Sequence, residues 1–127
     1  MTLVTGPAWT GLPAGRYGWL AYETIEADVR VAGVAVARRL TSLTASAGNP
    51  MRARNALMAG LRLAPACEEI WRDALTLANQ FAERADVRAV ADDMYAAIAR
   101  FGSPRGAEAE TDAVVDQLLP GYRRSAA

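Results

Sequence analysis

The side chains of this chain that could do chemistry are mainly carboxylates, arginines and hydroxyls, because the chain contains no histidine. Histidine is the commonest general base and the usual partner of a serine or cysteine nucleophile. Cys67 is the single cysteine, so no internal disulfide can form. Glu68 and Glu69 beside it oppose a thiolate, which favours a packing role for this thiol. The sequence therefore predicts a protein that is not an enzyme.

The acidic pairs Glu68-Glu69 and Asp92-Asp93 are the other candidates for a chemical site. Adjacent residues point in different directions around a helix, so we expect solvated faces here rather than metal ligands. The stretch "TGPAWTGLPAG" has glycines, but it lacks the lysine and the preceding strand of a phosphate-binding loop. The sequence predicts no metal and no other cofactor.

Two sets of polar residues fall at helical spacing and could line one groove. The candidates are Arg38, Arg39 and Ser42 on the first predicted helix and Arg72, Thr76 and Asn79 on the third. The same predicted faces also carry Ser46 on the first helix and Glu69, Asp73 and Gln80 on the third. Two guanidiniums on neighbouring helices, those of Arg38 and Arg72, could hold a carboxylate or peptide carbonyls of a protein partner. In the alternative, each arginine pairs with a nearby acid, such as Arg72 with Glu68 or Glu69, and binds nothing.

Four of the nine aromatic residues lie near the beginning of the chain: Trp9, Tyr17, Trp19 and Tyr22. One interpretation is an apolar plug that attaches a lead-in loop, residues 1–16, to the first helix. The other is an exposed aromatic surface, with Trp9, Tyr17 and Trp19 as an alternative contact site for a partner. Both interpretations stay open from the sequence.

The length and charge of the chain limit the classes of partner. A chain of 127 residues, 52% of them apolar, predicts one domain with a hydrophobic core. Fourteen basic residues, all of them arginine, balance fourteen acidic residues, which removes the basic footprint of most nucleic-acid-binding domains. The arginines are expected on a mixed, solvated surface, and the alternative is a set of local basic patches at Arg38-Arg39, at Arg52 with Arg54, and at Arg123-Arg124. Without a recognisable leader or a long apolar run, the expected setting is cytoplasmic and this segment makes no membrane contact.

Hydrophobic periodicity predicts an all-α fold of five helices. We expect them at about residues 17–47, 50–63, 66–82, 85–101 and 107–119, with a loop at 102–106 and a frayed tail at 121–127. On the first helix the predicted inward face comprises Tyr22, Ile25, Val29, Ala32, Val36, Leu40, Leu43 and Ala47. Asn49 and Pro50 predict the start of the second helix, and Pro65 its end.

Offset by 34 residues, the chain aligns small and apolar positions with one another, and 34 is the period of tetratricopeptide helix pairs. In the first of the predicted helix pairs, the positions at which the repeat packs or its second helix ends are Leu40, Ala53, Leu57, Gly60 and Pro65. The second begins with Trp71, which we expect in the core. These features predict antiparallel hairpins in a right-handed, tetratricopeptide-like stack, with the fifth helix as a cap.

Through the order and spacing of three motifs, the chain resembles the bacterial transcriptional activator domain, a tetratricopeptide-like module of actinobacterial regulators. These motifs are "LVTGPAWTGLPAGRYGWLAYE", "GLRLAPACEEIWRDALTLA" and "RFGSPRGAEAET", although the family's usual Leu-Gly is here Phe101-Gly102. The resemblance covers essentially the whole chain and places the domain at residues 17–120. In the family, this module follows a DNA-reading winged helix or ends a long multidomain chain.

The resemblance implies a protein-interaction or regulatory module of a transcriptional regulator, whose partner is another domain of its parent chain or a second copy. The alternative is a structural or dimerisation domain of a membrane-anchored envelope protein. Gly33 could admit a second backbone close to the first helix, which suits self-association and intramolecular packing equally. DNA binding by this domain itself is not expected.

Overall fold

The structure is a computed structural model that describes the backbone of residues 16–126 and the side chains of residues 25–125. The described chain is all-α and contains no strand. Its elements are α1 Arg16–Ser46, α2 Pro50–Leu63, α3 Glu68–Phe81, α4 Arg84–Phe101, α5 Ala109–Leu118 and α6 Tyr122–Ala126. The chain divides into two units, Met1–Ala32 and Gly33–Ala127.

The predicted fold class is confirmed as all-α, while the predicted number of five helices is too low for the described residues. The second helix begins and ends at the predicted residues, and the boundaries of α3, α4 and α5 lie within two residues of the prediction. A sixth helix replaces the frayed tail.

In the first unit, the described side chains belong to the part of α1 before Gly33. Arg30 Nη2 lies 3.5 Å from Oε1 of Glu26, one turn earlier in the helix. Val29 and Val31 are exposed. An exposed ion pair such as Arg30–Glu26, with its partners four residues apart, stabilises a helix by about 0.2–0.5 kcal/mol.

In the second unit, a tight turn joins α1 to α2. Gly48 has φ +75, the left-handed conformation that glycine adopts without a Cβ penalty. The Asn49 side chain then accepts a hydrogen bond from the Arg52 amide at 3.2 Å, and Pro50 occupies a first position where no amide is needed. These three residues explain why the start of α2 is predictable from sequence.

Helices α1, α2 and α3 meet at Gly60. A Cβ at this position would lie 2.7 Å from Cδ1 of Ile70 on α3 and 2.9 Å from Cβ of Ala37 on α1. Ile70 is fully buried and packs in one cluster with Ala53, Leu57 and Leu77. The close approach of three helices therefore depends on a residue without a side chain.

The predicted inward face of α1 is wrong. Val36, Leu40 and Leu43 are exposed to 66%, 48% and 56%, whereas Ala37 and Thr41 on another face are buried. The Thr41 hydroxyl donates to the Ala37 carbonyl at 2.7 Å, so its polar group is satisfied inside the protein. Small residues admit the neighbouring helices closely, and this outweighs the larger apolar area of the valine and leucine stripe.

Gly33 belongs to the same packed face of α1. A Cβ there would collide with Cδ1 of Leu63, the last residue of α2. Leu63 is a flexible side chain that is 46% exposed and has room to rotate, so this contact leaves both suggested roles of Gly33, self-association and intramolecular packing, as predictions.

A second core joins α3, α4 and the C-terminal helices. Its fully buried members include Leu75, Met94, Ile98 and Val115. Trp71 is only partly buried, but it packs against this cluster, and its Nε1 donates to the Pro65 carbonyl at 2.8 Å. The tryptophan thus connects the α2–α3 turn to the core.

The prediction that residues 121–127 fray is wrong for 122–126. Gly121, with φ +83, reverses the chain and allows α6 to fold back. Tyr122 is 6% exposed, stacks near Tyr95 with ring centroids 6.1 Å apart and donates a hydrogen bond to Asp92. Its anchors are distant in sequence, which is why local composition suggested a loose end.

None of the helices in the described part of the chain combines the length and the hydropathy that a membrane span requires.

Candidate functional site

A groove of about 520 Å³ opens between α3 and the part of α1 that follows Ala32, and all of its lining residues belong to the second unit. Four of the six predicted groove residues line it: Arg38, Arg39, Ser42 and Thr76. The remaining lining residues are Thr41, Ala45, Ser46, Asp73, Leu77 and Gln80. We call this surface the α1–α3 groove.

Arg38 connects the two walls of the groove. Its Nε lies 2.8 Å from Oδ2 of Asp73 and its Nη2 3.3 Å from Oδ1, while Nη1 lies 2.8 Å from Oε2 of Glu69. Because the Asp73 carboxylate accepts hydrogen bonds from the guanidinium, the pKa of Arg38 is raised above its ordinary value, with partial burial opposing the shift. Arg38 therefore holds α1 against α3 and is already occupied by two carboxylates.

Arg39 is the available cation of the groove. It is exposed and forms no ion pair with any of the residues whose side chains are described. Ser42 and Ser46 follow on α1, and Gln80 lies on the opposite wall; all three are exposed. This side of the groove offers a guanidinium for a carboxylate and several neutral donors and acceptors for peptide groups.

The deeper part of the groove is less polar. Leu77 and Thr41 are buried, Ala45 is partly buried, and the Thr41 hydroxyl is engaged with backbone carbonyls of Ala37 and Ala53. The hydroxyl of Thr76 donates to the Arg72 carbonyl at 3.0 Å, which leaves its oxygen able to accept. An apolar floor with polar walls is the usual composition of a binding groove.

The prediction that Arg72 faces the same groove as Arg38 is wrong. The Arg72 side chain, 17% exposed, reaches α5 and the residue before it: Nη1 lies 2.8 Å from Oγ1 of Thr111 and 3.3 Å from Oε1 of Glu108, and Nη2 lies 3.7 Å from Oε2 of Glu110. Because α5 packs against α3, position 72 faces α5 and not α1. The ion-paired alternative therefore describes both arginines, although the acids that hold Arg72 are not Glu68 or Glu69. Asn79 is exposed and does not line the groove.

Ser46, Asp73 and Gln80, which helical spacing places on the same predicted polar faces as the candidate residues, also line the groove. Ser46 follows Ser42 by one helical turn, and Gln80 follows Thr76 by the same interval. Asp73 lies 35 residues after Arg38, so the two opposite charges occupy nearly equivalent places in the 34-residue period.

The acidic pairs contribute to structural bonds. Glu68 accepts a hydrogen bond from the Glu108 amide at 2.8 Å, Glu69 pairs with Arg38, and Asp92 accepts from Tyr122. Within the described ranges, no three acidic, cysteine or histidine side chains come together in a way that could hold a metal ion. Cys67 is a partly buried thiol before α3 that packs against the cluster of Ala53, Leu57, Ile70 and Leu77.

The alternative aromatic site cannot be placed on this fold. Trp9 lies outside the described residues, and so do the side chains of Tyr17 and Trp19. That site stays a prediction.

Comparison with known proteins gives no match to a family model, to a curated protein or to a solved structure.

Proposed function

We propose that this chain is a non-catalytic protein-interaction module and that the α1–α3 groove receives a peptide segment of its partner. The observation that carries the proposal is the pairing of an apolar floor at Leu77 with an exposed Arg39 that no described side chain neutralises. A bound peptide would place an acidic side chain or its carboxyl terminus at Arg39 and its main chain along Ser42, Ser46 and Gln80.

The size and charge of the groove set the expected affinity. A volume of about 520 Å³ accommodates a short segment and not a folded domain. Asp73 and Glu69 already neutralise Arg38, so among the described residues that line the groove Arg39 is the cation left for the ligand. We expect dissociation constants in the micromolar range, about 8 kcal/mol or less of binding free energy.

The motif resemblance supports the wider part of the proposal. If α1 to α4 form a tetratricopeptide-like stack, this chain is the interaction module of a transcriptional regulator. The partner of the module is then another domain of the same parent protein. DNA contact is assigned to other parts of such a protein, in keeping with a net charge of zero here.

A test of the groove uses peptide selection. A phage library of random peptides is selected against the whole chain, and the enriched peptides are titrated by fluorescence anisotropy. Peptides that carry an acidic residue and bind at micromolar concentration support the proposal. The affinity of these peptides must fall about tenfold or more in the Arg39→Glu protein, a loss of ~1.4 kcal/mol in binding free energy.

The matched control is Arg84→Glu, an exposed charge reversal at the start of α4. Equal effects of the two reversals would reduce the binding to net charge and would reject the groove. Failure to enrich any peptide would reject it as well.

A second candidate function, a dimerisation domain, is favoured by the exposed apolar side chains Val36, Leu40 and Leu43 on α1. Exposed apolar patches often mark protein contacts. Sedimentation equilibrium of the chain and of its Leu40→Gln/Leu43→Gln variant tests this function. A dimer that the substitutions dissociate supports it, and a monomer at all accessible concentrations excludes it.

A further inference from the structure

The outer face of α2 carries a second, separate cluster of exposed residues. Its members lie at spacings of three, four and seven residues, opposite the buried face formed by Ala53, Leu57 and Gly60. We call this surface the α2 outer face; it comprises Met51, Arg54, Asn55, Met58 and Arg62.

All charged side chains of α2 are positive. The helix contains the arginines Arg52, Arg54 and Arg62 and no acidic residue, although the chain as a whole is neutral. All three arginines are exposed, and none is ion-paired among the residues described. Arg52 and Arg54 also lie near the amino end of the helix, where the helix dipole is positive and disfavours cations. An anionic partner would relieve this repulsion.

The methionines restrict the class of anion. Met51 and Met58 are 66% and 47% exposed and lie one heptad apart, about 10 Å along the helix axis. Methionine is a flexible apolar residue that is common at adaptable protein-binding surfaces. A nucleic acid would use arginines and aromatic rings, and this face has no aromatic residue. A membrane surface needs a broad apolar face, whereas the apolar face of α2 is buried in the core.

We propose that the α2 outer face binds an acidic amphipathic helix of a protein partner, with apolar residues in heptad spacing against Met51 and Met58 and carboxylates against Arg54 and Arg62. This contact goes beyond the groove proposed above. It uses different residues on a different helix, so the two surfaces could engage two segments at once.

The test uses a synthetic three-heptad peptide with Leu at the a and d positions and Glu elsewhere, and a matched peptide with Lys in place of Glu. Fluorescence anisotropy with the full chain should show micromolar binding of the Glu peptide that weakens with salt, and none of the Lys peptide. Arg54→Glu/Arg62→Glu should weaken binding at least tenfold. The control Arg84→Glu/Arg105→Glu, which changes the net charge equally at exposed positions, should alter it less than twofold.

Met51→Gln/Met58→Gln provides a second variant that keeps the charge, and it should weaken binding at least threefold. Circular dichroism melts verify that each variant is folded. Ser42→Tyr, which fills the α1–α3 groove, should leave the binding unchanged, so failure of one surface is separable from failure of the other. Equal effects of the two arginine pairs, no binding of the Glu peptide, or binding of only duplex DNA or phosphatidylserine vesicles would overturn the proposal.

Discussion

Arg38 on α1 and Asp73 on α3 form a two-point ion pair, with distances of 2.8 Å and 3.3 Å between guanidinium nitrogens and carboxylate oxygens. The pair spans the α1–α3 groove and links its two walls. It also removes Arg38 from the groups available to a ligand, which leaves that role to Arg39.

The Arg38–Asp73 pair should stabilise the fold measurably. In a double-mutant cycle with Arg38→Ala and Asp73→Ala, we expect a coupling free energy of about 1 kcal/mol, because the geometry is bidentate and Asp73 is mostly shielded. The single-contact pair Arg30–Glu26, whose side chains are 50% and 56% exposed, should give less than half that value. Urea denaturation of each variant provides the numbers, and equal coupling in the two pairs would contradict this role for Arg38.

Gly60 should tolerate no side chain. Although alanine is the better helix former, Gly60→Ala places a methyl group within 3 Å of Ile70 and Ala37, so we expect a loss of about 1–3 kcal/mol in unfolding free energy. Asn55→Ala, at an exposed position of the same helix, should be neutral or slightly stabilising. Thermal melts compare the two, and a Gly60→Ala protein as stable as the parent would refute the three-helix junction.

Trp71 should contribute through both packing and its hydrogen bond. Trp71→Ala should cost about 3 kcal/mol, at the low end of the range for buried tryptophan because this side chain is only partly buried. Trp71→Phe keeps much of the apolar contact but loses the bond to the Pro65 carbonyl, which should cost about 1 kcal/mol. In denaturant titrations, the unfolding free energy should be highest for the parent, lower for Trp71→Phe and lowest for Trp71→Ala. Any other order contradicts the assigned contacts.

The C-terminal helix should make stability sensitive to alkaline pH. Burial, with the hydrogen bond to Asp92, raises the pKa of Tyr122 to about 12, and burial with the bond to Asp112 raises the pKa of Tyr95 as well. Between about pH 10, the ordinary tyrosine value, and about pH 12, the unfolded chain loses phenol protons that the folded chain retains. The stabilisation is therefore complete below about pH 10 and declines as the pH rises through this window.

Tyr122→Phe should remove about half of that alkaline loss, since Tyr95 contributes to the rest. Denaturation midpoints measured at several pH values from about 9 to 12 provide the test. A parallel decline in parent and variant would show that Tyr122 is not protected as α6 implies.

The sequence predicted helix positions better than helix faces. The bounds of α2 follow from Gly48, Asn49, Pro50 and Pro65, whose effects are local and stereochemical. The face of α1 was misassigned because an alanine-rich helix offers two stripes at the same spacing. Hydrophobicity selects Val36 and its neighbours, whereas close packing selects the small residues around Ala37.

The groove was predicted in part for a related reason. Helical spacing brought Arg39, Ser42 and Thr76 to one surface, but it could not show that α5 packs beside α3 and takes Arg72 away from the groove. Likewise, the partners of Tyr122 lie 27 and 30 residues earlier in the chain, beyond any local pattern. These misses concern contacts between elements distant in sequence.

The most direct test of the interaction proposal is a backbone amide chemical-shift titration with an acidic peptide selected from the library. Saturable shifts should concentrate at Arg39, Ser42, Ser46 and Gln80, and Arg39→Glu should abolish them. The spectrum of the free Arg39→Glu protein should still be that of a folded protein. Shifts confined to other surfaces, or shifts of the same size in the Arg39→Glu protein, would contradict the assignment of the α1–α3 groove as the partner-binding site.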